Sequence, residues 1–219
     1  MQRALDEQME KLRQMLTKMS ALAELMISEA IHSLRDKEGE YVKQVMQREQ
    51  EMNSMQIQVD ELCLAMIARY QPAADDLRFI IGAIKTNGEL ERLGDQAVNI
   101  VEKVGRLHLT TEEPMYRLIS KMSDICREMV RESLHSYIHK NPIKAREILR
   151  RDDAVDDLAN EAIILLQNEV NKTPTEKLLL IAIVVKTLER IGDHATNIAE
   201  NAIFVTEGKD VRHHAEDNR

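Results

Sequence analysis

Leu90-Glu91-Arg92-Leu93-Gly94-Asp95-Gln96-Ala97-Val98-Asn99-Ile100-Val101-Glu102 returns 98 residues later as Leu188-Glu189-Arg190-Ile191-Gly192-Asp193-His194-Ala195-Thr196-Asn197-Ile198-Ala199-Glu200, with nine of 13 positions identical. The shared residues include Glu, Arg, Gly, Asp and Asn, so the match is more than the apolar pattern common to helices. A fixed-period repeat of this kind sets the architecture. Upstream the repeat continues at an offset of 103: Met26, Glu29, His32 and Ser33 match Met129, Glu132, His135 and Ser136, and Arg48, Glu49 and Asn53 meet Arg151, Asp152 and Asp156. The offset falls to 98 after the Pro-bearing turns Gln71-Pro72 and Thr173-Pro174, where the second half loses five residues.

Apolar residues three and four apart mark each segment as helical. Leu5, Met9, Leu12, Leu16, Met19, Ala23, Met26 and Ala30 form a first stripe, interrupted at Asp36 to Gly39. A second, from Val42 to Met66, leads to Gln71-Pro72, and a third runs from about Ala73 to Leu107 with Asp75 and Asp76 in its first turn, where carboxylates favour the helix dipole. Thr110 is expected to cap a fourth helix, Pro114 to about His139. The fifth covers roughly 143–170 and the sixth about 175–205. Short connections make successive helices antiparallel neighbours. The expected fold is all-α: two tandem, pseudo-repeated three-helix bundles at 1–108 and 109–206, with 207–219, including His213 and His214, as a solvated tail.

Composition narrows the functions. Seven Gly, four Pro and 3% aromatics favour helices over sheets. Thirty basic against 38 acidic residues give a net charge of −8, which provides no stripe for neutralising phosphates and argues against nucleic-acid binding. The longest apolar run, Leu178 to Val185, is eight residues, far short of the roughly 20 that span a bilayer. No apolar signal region opens the chain, so it is expected to be cytoplasmic. Cys63 and Cys126 have no CxxC partner and are expected to be reduced, buried thiols.

Glu91 and Asp95, spaced i, i+4, project from one side of the third helix, and Asn99 continues the stripe. Glu189, Asp193 and Asn197 repeat it on the sixth. At 1.5 Å per residue from each turn, Glu49, Glu91 and Asp95 stand at roughly 30, 27 and 33 Å, and Asp152, Glu189 and Asp193 at roughly 27, 22 and 28 Å. Carboxylates of adjacent helices are therefore level. Unless a cation joins them, they raise one another's pKa. All-oxygen ligation suits Mg, Mn, Ca or oxidised Fe, and histidine widens the set to Fe, Zn or Ni. Glu29-x-x-His32 and Glu132-x-x-His135 have the spacing found in di-iron bundles. His194, about 100° round the helix from Asp193, is expected to stay out of that site.

The doubled Leu-Glu-Arg-(Leu/Ile)-Gly-Asp-x-Ala-x-Asn-Ile, with Gln71-Pro72-Ala73-Ala74-Asp75-Asp76-Leu77-Arg78 between helices two and three, resembles the PhoU family over nearly the whole chain. The resemblance implies a cytoplasmic accessory factor of the phosphate ABC transporter. Such a factor carries phosphate sufficiency to a sensor histidine kinase, acts at the membrane through these partners, and restrains the phosphate-starvation response. It further implies metal ions (Fe, Zn, Ni, Mn or Mg) at Glu91, Asp95, Asp152, Asp156, Glu189 and Asp193; the level arithmetic and the acidic stripes add Glu49, Asn99 and Asn197 as candidate additional ligands. Asn53 departs from the pattern, since its counterpart is Asp156. Gln71, Pro72, Asp76 and Arg78 form either plain turn chemistry or a partner-docking corner. A homodimer is expected. The rival function is a carboxylate-bridged di-metal oxidase, against which stand the three helices per half and the absence of a nucleophile motif or Gly-rich phosphate loop.

Overall fold

The computed structural model describes residues 2–104, 107, 109–110, 113–209 and 211. It contains six α-helices in chain order: α1 Gln2–Ser33, α2 Glu40–Tyr70, α3 Ala74–Val104, α4 Pro114–Ile138, α5 Pro142–Asn168 and α6 Thr175–Glu207. No strand occurs among the described residues. All six expected segments are present, with bounds within three residues or so of the periodicity. The predicted cap of α4 is corrected: Glu113 is the N-cap, and its carboxylate accepts the Thr110 N–H at 3.0 Å. Thr110 lies three residues upstream, so its hydroxyl is off the helix end. At the first interruption Asp36 is the organiser, accepting the N–H groups of Glu38 and Tyr41, both at 2.9 Å.

Helices α1–α3 form one bundle and α4–α6 the other, and the two share a core. Across the boundary α1 meets its counterpart α4 and α3 meets its counterpart α6, while α2 and α5 stand on the outside. Arg35 stacks on Tyr116 at 4.9 Å and Glu24 pairs with Arg131 at 3.5 Å, so α1 and α4 run antiparallel. Lys85 lies 4.7 Å over Phe204 and Asn201 reaches Thr86 at 3.5 Å, so α3 and α6 do too. Counterparts crossing antiparallel are related by a pseudo-twofold axis. The first bundle's acidic stripe on α3 and the second's on α6 consequently emerge on the same side of the α3–α6 pair.

The join is tightly packed. Tyr137 is fully buried and donates its hydroxyl to the carbonyl of Phe79 on α3. A Cβ at Gly82 would come within 2.5 Å of Val205 and 3.0 Å of Tyr137, which is why no side chain stands there. The linker is anchored by the Leu109 N–H donating to the Leu34 carbonyl at 2.9 Å, with Leu107 and Leu109 buried. At the far end α6 runs on to Glu207, which holds Arg146 through two bonds of 2.8 and 3.0 Å, and Val211 is buried. His213 and His214, placed in a solvated tail from sequence, lie outside the described residues. Cys63 and Cys126 are buried and free. Burial pushes the Cys63 thiol up to about 12, and the Cys126 thiol, donating to the Leu188 carbonyl at 3.3 Å, is raised as well.

Candidate metal centre and inter-repeat seam

The second bundle gathers its carboxylates as the helix arithmetic requires. Burial first, then the charges of Asp193, Asp156, Asp153 and Glu189, push Asp152 up to about 7. Asp156 is raised by its partial burial and by Glu189, Asp193 and Asp153, with Lys186 opposing. Asp152, half-buried on α5, presses its Oδ1 so close to α6 that a Cβ at Gly192 would sit 2.7 Å away. Glycine there is a matter of space: its absent side chain admits the carboxylate. Glu189 is engaged by Lys186 one turn earlier.

The first bundle repeats the arrangement in weaker form. Glu91 is raised by burial and by Asp95, with a further push from Glu49, while Arg92 and His194 pull the other way. Asn53 is exposed and adds no charge. Gly94, the counterpart of Gly192, faces the side chains of Met26 and Met52, both 3.4 Å from an ideal Cβ. Apolar packing occupies the space that a carboxylate takes in the second bundle.

The donor chemistry suits a hard cation, since the carboxylates of α5 and α6 are oxygen ligands that raise one another's pKa. Among the described residues no group of three His, Cys, Asp or Glu is disposed to hold an ion. Two other candidate acids are withdrawn. Glu29, buried, receives both Nε and Nη2 of Arg48 at 2.7 and 2.8 Å. Glu132 faces Arg151 at 3.5 Å and Lys144 at 3.0 Å. Both Glu-x-x-His motifs therefore spend their glutamates on ion pairs, which removes the di-iron ligand set that the rival oxidase needs.

Between the two acidic groups lies a contact missed at the level of sequence. His194 turns away from Asp193 and donates Nδ1 to Glu89 of the other repeat at 2.8 Å, and Asn197 donates to the same carboxylate at 3.0 Å. Both His194 and Glu89 are largely buried, with side chains 17% and 12% exposed. Burial alone would raise the Glu89 carboxyl, but His194, Asn197 and Arg92 together leave it below the usual range. Nothing in the repeat pointed to Glu89, because its counterpart is Thr187 and the link is asymmetric. Asn197 thus serves the seam, and Asn99 donates to Gln96 at 3.5 Å.

At the α2–α3 corner Gln71 and Ala74 adopt positive φ, 47° and 45°, and the Gln71 N–H caps α2 by donating to Ile67 at 3.1 Å. Arg78 pairs with Asp75 rather than Asp76. Its Nε is buried without a partner.

The PhoU domain profile matches residues 16–104 and again 119–202. A phosphate-specific transport system accessory protein PhoU homolog of Aquifex aeolicus is 34% identical over 211 residues, covering 94% of this chain and 95% of that protein. The homolog from Pseudomonas aeruginosa is 33% identical over 209 residues, 94% of this chain and 86% of its own. The crystal structure of PhoU from Pseudomonas aeruginosa superposes with a TM-score of 0.84, at 31% identity over 93% of this chain and 99% of that one. That of the phosphate transport system regulatory protein PhoU from Streptococcus pneumoniae gives 0.85 at 21% identity, over 94% and 99%, and bears on the fold. With both halves matched and the duplicated acidic motif carried on the expected helices, this chain belongs to the PhoU family.

Proposed function

We propose that this protein is a cytoplasmic, non-enzymatic regulator of phosphate uptake. It would act as an adaptor between the ATPase of a phosphate ABC transporter and a sensor histidine kinase, and hold down the phosphate-starvation response when phosphate suffices. The observation that carries this reading is the match along nearly the whole chain to proteins named as accessories of the phosphate-specific transport system. No described helix is long and apolar enough to cross a membrane, so action at the membrane would pass through those partners, with the chain itself as a homodimer. On this reading the corner at Gln71, Pro72, Asp76 and Arg78, where the exposed Gln71 ends α2, would be the surface that docks a partner. Deletion of the protein is expected to raise phosphate-responsive gene expression in phosphate-rich medium. Unchanged expression, together with no capture of the transporter ATPase, would end this reading.

Within the same proposal Asp152, Asp156, Glu189 and Asp193 would hold a metal ion, with Glu49, Glu91 and Asp95 a weaker second set. Iron, manganese or magnesium suits the oxygen donors best, and zinc or nickel less well. When bound, the ion supplies positive charge that neutralises clustered carboxylates. The chain's own residues set the place: Gly192 admits Asp152, and Lys186 holds Glu189. The raised Asp152 carboxyl supports this role. Metal analysis of untagged protein, prepared without chelators and supplied with each ion, tests it.

A further inference from the structure

The Glu132-x-x-His135 motif has a second outcome once Glu132 is committed to Arg151 and Lys144. His135 faces one turn along α4 to His139, the C-cap, whose backbone N–H donates to the His135 carbonyl at 3.0 Å. The two rings have centroids 4.2 Å apart and planes tilted by 43°. Both residues are exposed, and neither ring has a hydrogen-bond partner among the described residues. In the first repeat the counterpart of His139 is Asp36, which serves the turn, and His32 instead packs on Tyr41 at 5.3 Å. The pair belongs to one repeat only.

We propose that His135 and His139 form a two-nitrogen chelate for a borderline divalent transition ion, of the zinc, nickel or copper(II) class, separate from the carboxylate groups. Imidazoles at i, i+4 share one helix face, which is the spacing that places two nitrogens on one ion. With metal–nitrogen bonds of about 2.1 Å, two imidazoles on a shared ion have centroids roughly 4.5–5 Å apart. Small rotations from 4.2 Å reach that range. The C-terminal end of α4 carries the negative pole of the helix dipole, which favours a bound cation. Two of the cations near the pair are held by acids, Arg131 by Glu24 at 3.5 Å and Lys144 by Glu132 at 3.0 Å and Glu147 at 3.5 Å, while Arg13 and Lys18 share a groove with His139. The remaining coordination positions belong to water. Nitrogen donors select borderline ions over manganese and magnesium, opposite to the preference of the carboxylates.

The test is titration of the full chain with nickel(II) at neutral pH, in wild type and three variants: His135→Ala/His139→Ala, His213→Ala/His214→Ala and Asp152→Asn/Asp193→Asn. The expected result is a nickel site that survives the tail and carboxylate variants and is lost in His135→Ala/His139→Ala. Excess manganese should leave it in place, and copper(II) electron paramagnetic resonance should report two nitrogen ligands. Both side chains are exposed, so helical circular dichroism should be unchanged. Nickel bound equally by His135→Ala/His139→Ala, or none bound by wild type, would overturn the proposal. Loss in the carboxylate variant instead would assign nickel to that group.

Discussion

The second bundle brings Asp152, Asp156, Glu189 and Asp193 within electrostatic reach of one another, with Asp152 half-buried against Gly192. In the first, Glu91 feels Asp95 and Glu49, Asn53 is exposed, and methionines stand against Gly94. At these four positions two substitutions separate the halves. Asn for Asp removes one charge, and the longer Glu for Asp lets the carboxylate stay clear of the neighbouring helix backbone. In consequence Asp152 is pushed up to about 7, whereas Glu91 is raised less, with Arg92 and His194 partly compensating. The second bundle holds the more strongly repelling anionic cluster of the two.

The largest expected effect is on metal content. Asp193→Asn should abolish most bound metal and Asp95→Asn should remove little, as read by elemental analysis of untagged protein. Equal loss would show the halves to be equivalent, and negligible metal in all three proteins would return these residues to solvated or partner-binding faces.

Next in size is the pH dependence of stability. The folded Asp152 carboxyl is raised above its unfolded value of 3.8, so the native state binds the extra proton. Its contribution is fully present below that value and is lost as pH rises through about 7. Discounted for a half-exposed site, the loss is on the order of 1–2 kcal/mol. Asp152→Asn should flatten the denaturation midpoint between acid and neutral pH in metal-free protein. A midpoint that falls just as steeply in the variant would remove the strain from the second bundle.

Asn53→Asp would sharpen the comparison from the other side. It restores the fourth carboxylate of the first bundle and should raise metal uptake there while lowering metal-free stability slightly at neutral pH. Uptake unchanged from wild type would place the asymmetry in Glu49 or in the seam around His194.

The smallest effects concern the paired glycines. Gly94→Ala meets ordinary contacts at 3.4 Å and should stabilise by about 0.5–1 kcal/mol through helix propensity. Gly192→Ala must displace the Asp152 carboxylate, 2.7 Å away, so its gain should be smaller and its metal binding weaker. Equal responses in chemical denaturation and metal content would deny that Gly192 makes room for the acid.

Sequence alone determined the repeat, the six helices, their turns and the two levels of carboxylates. These are local or periodic properties: apolar spacing fixes a helix face, and rise per residue fixes height along it. The Gln71–Pro72 turn and the Asp36 interruption were legible for the same reason. Tertiary structure decided how the repeats join. Only the antiparallel crossing of α3 with α6 gives His194 and Asn197 their partner in Glu89, a residue whose counterpart, Thr187, offered no symmetric signal. Only the packing of α2 on α1 and of α5 on α4 shows Glu29 taken by Arg48 and Glu132 by Arg151, a choice of partner that spacing along one helix cannot make. Charge position along a helix follows from the sequence itself; which opposite charge faces it depends on a second helix, arriving from far along the chain.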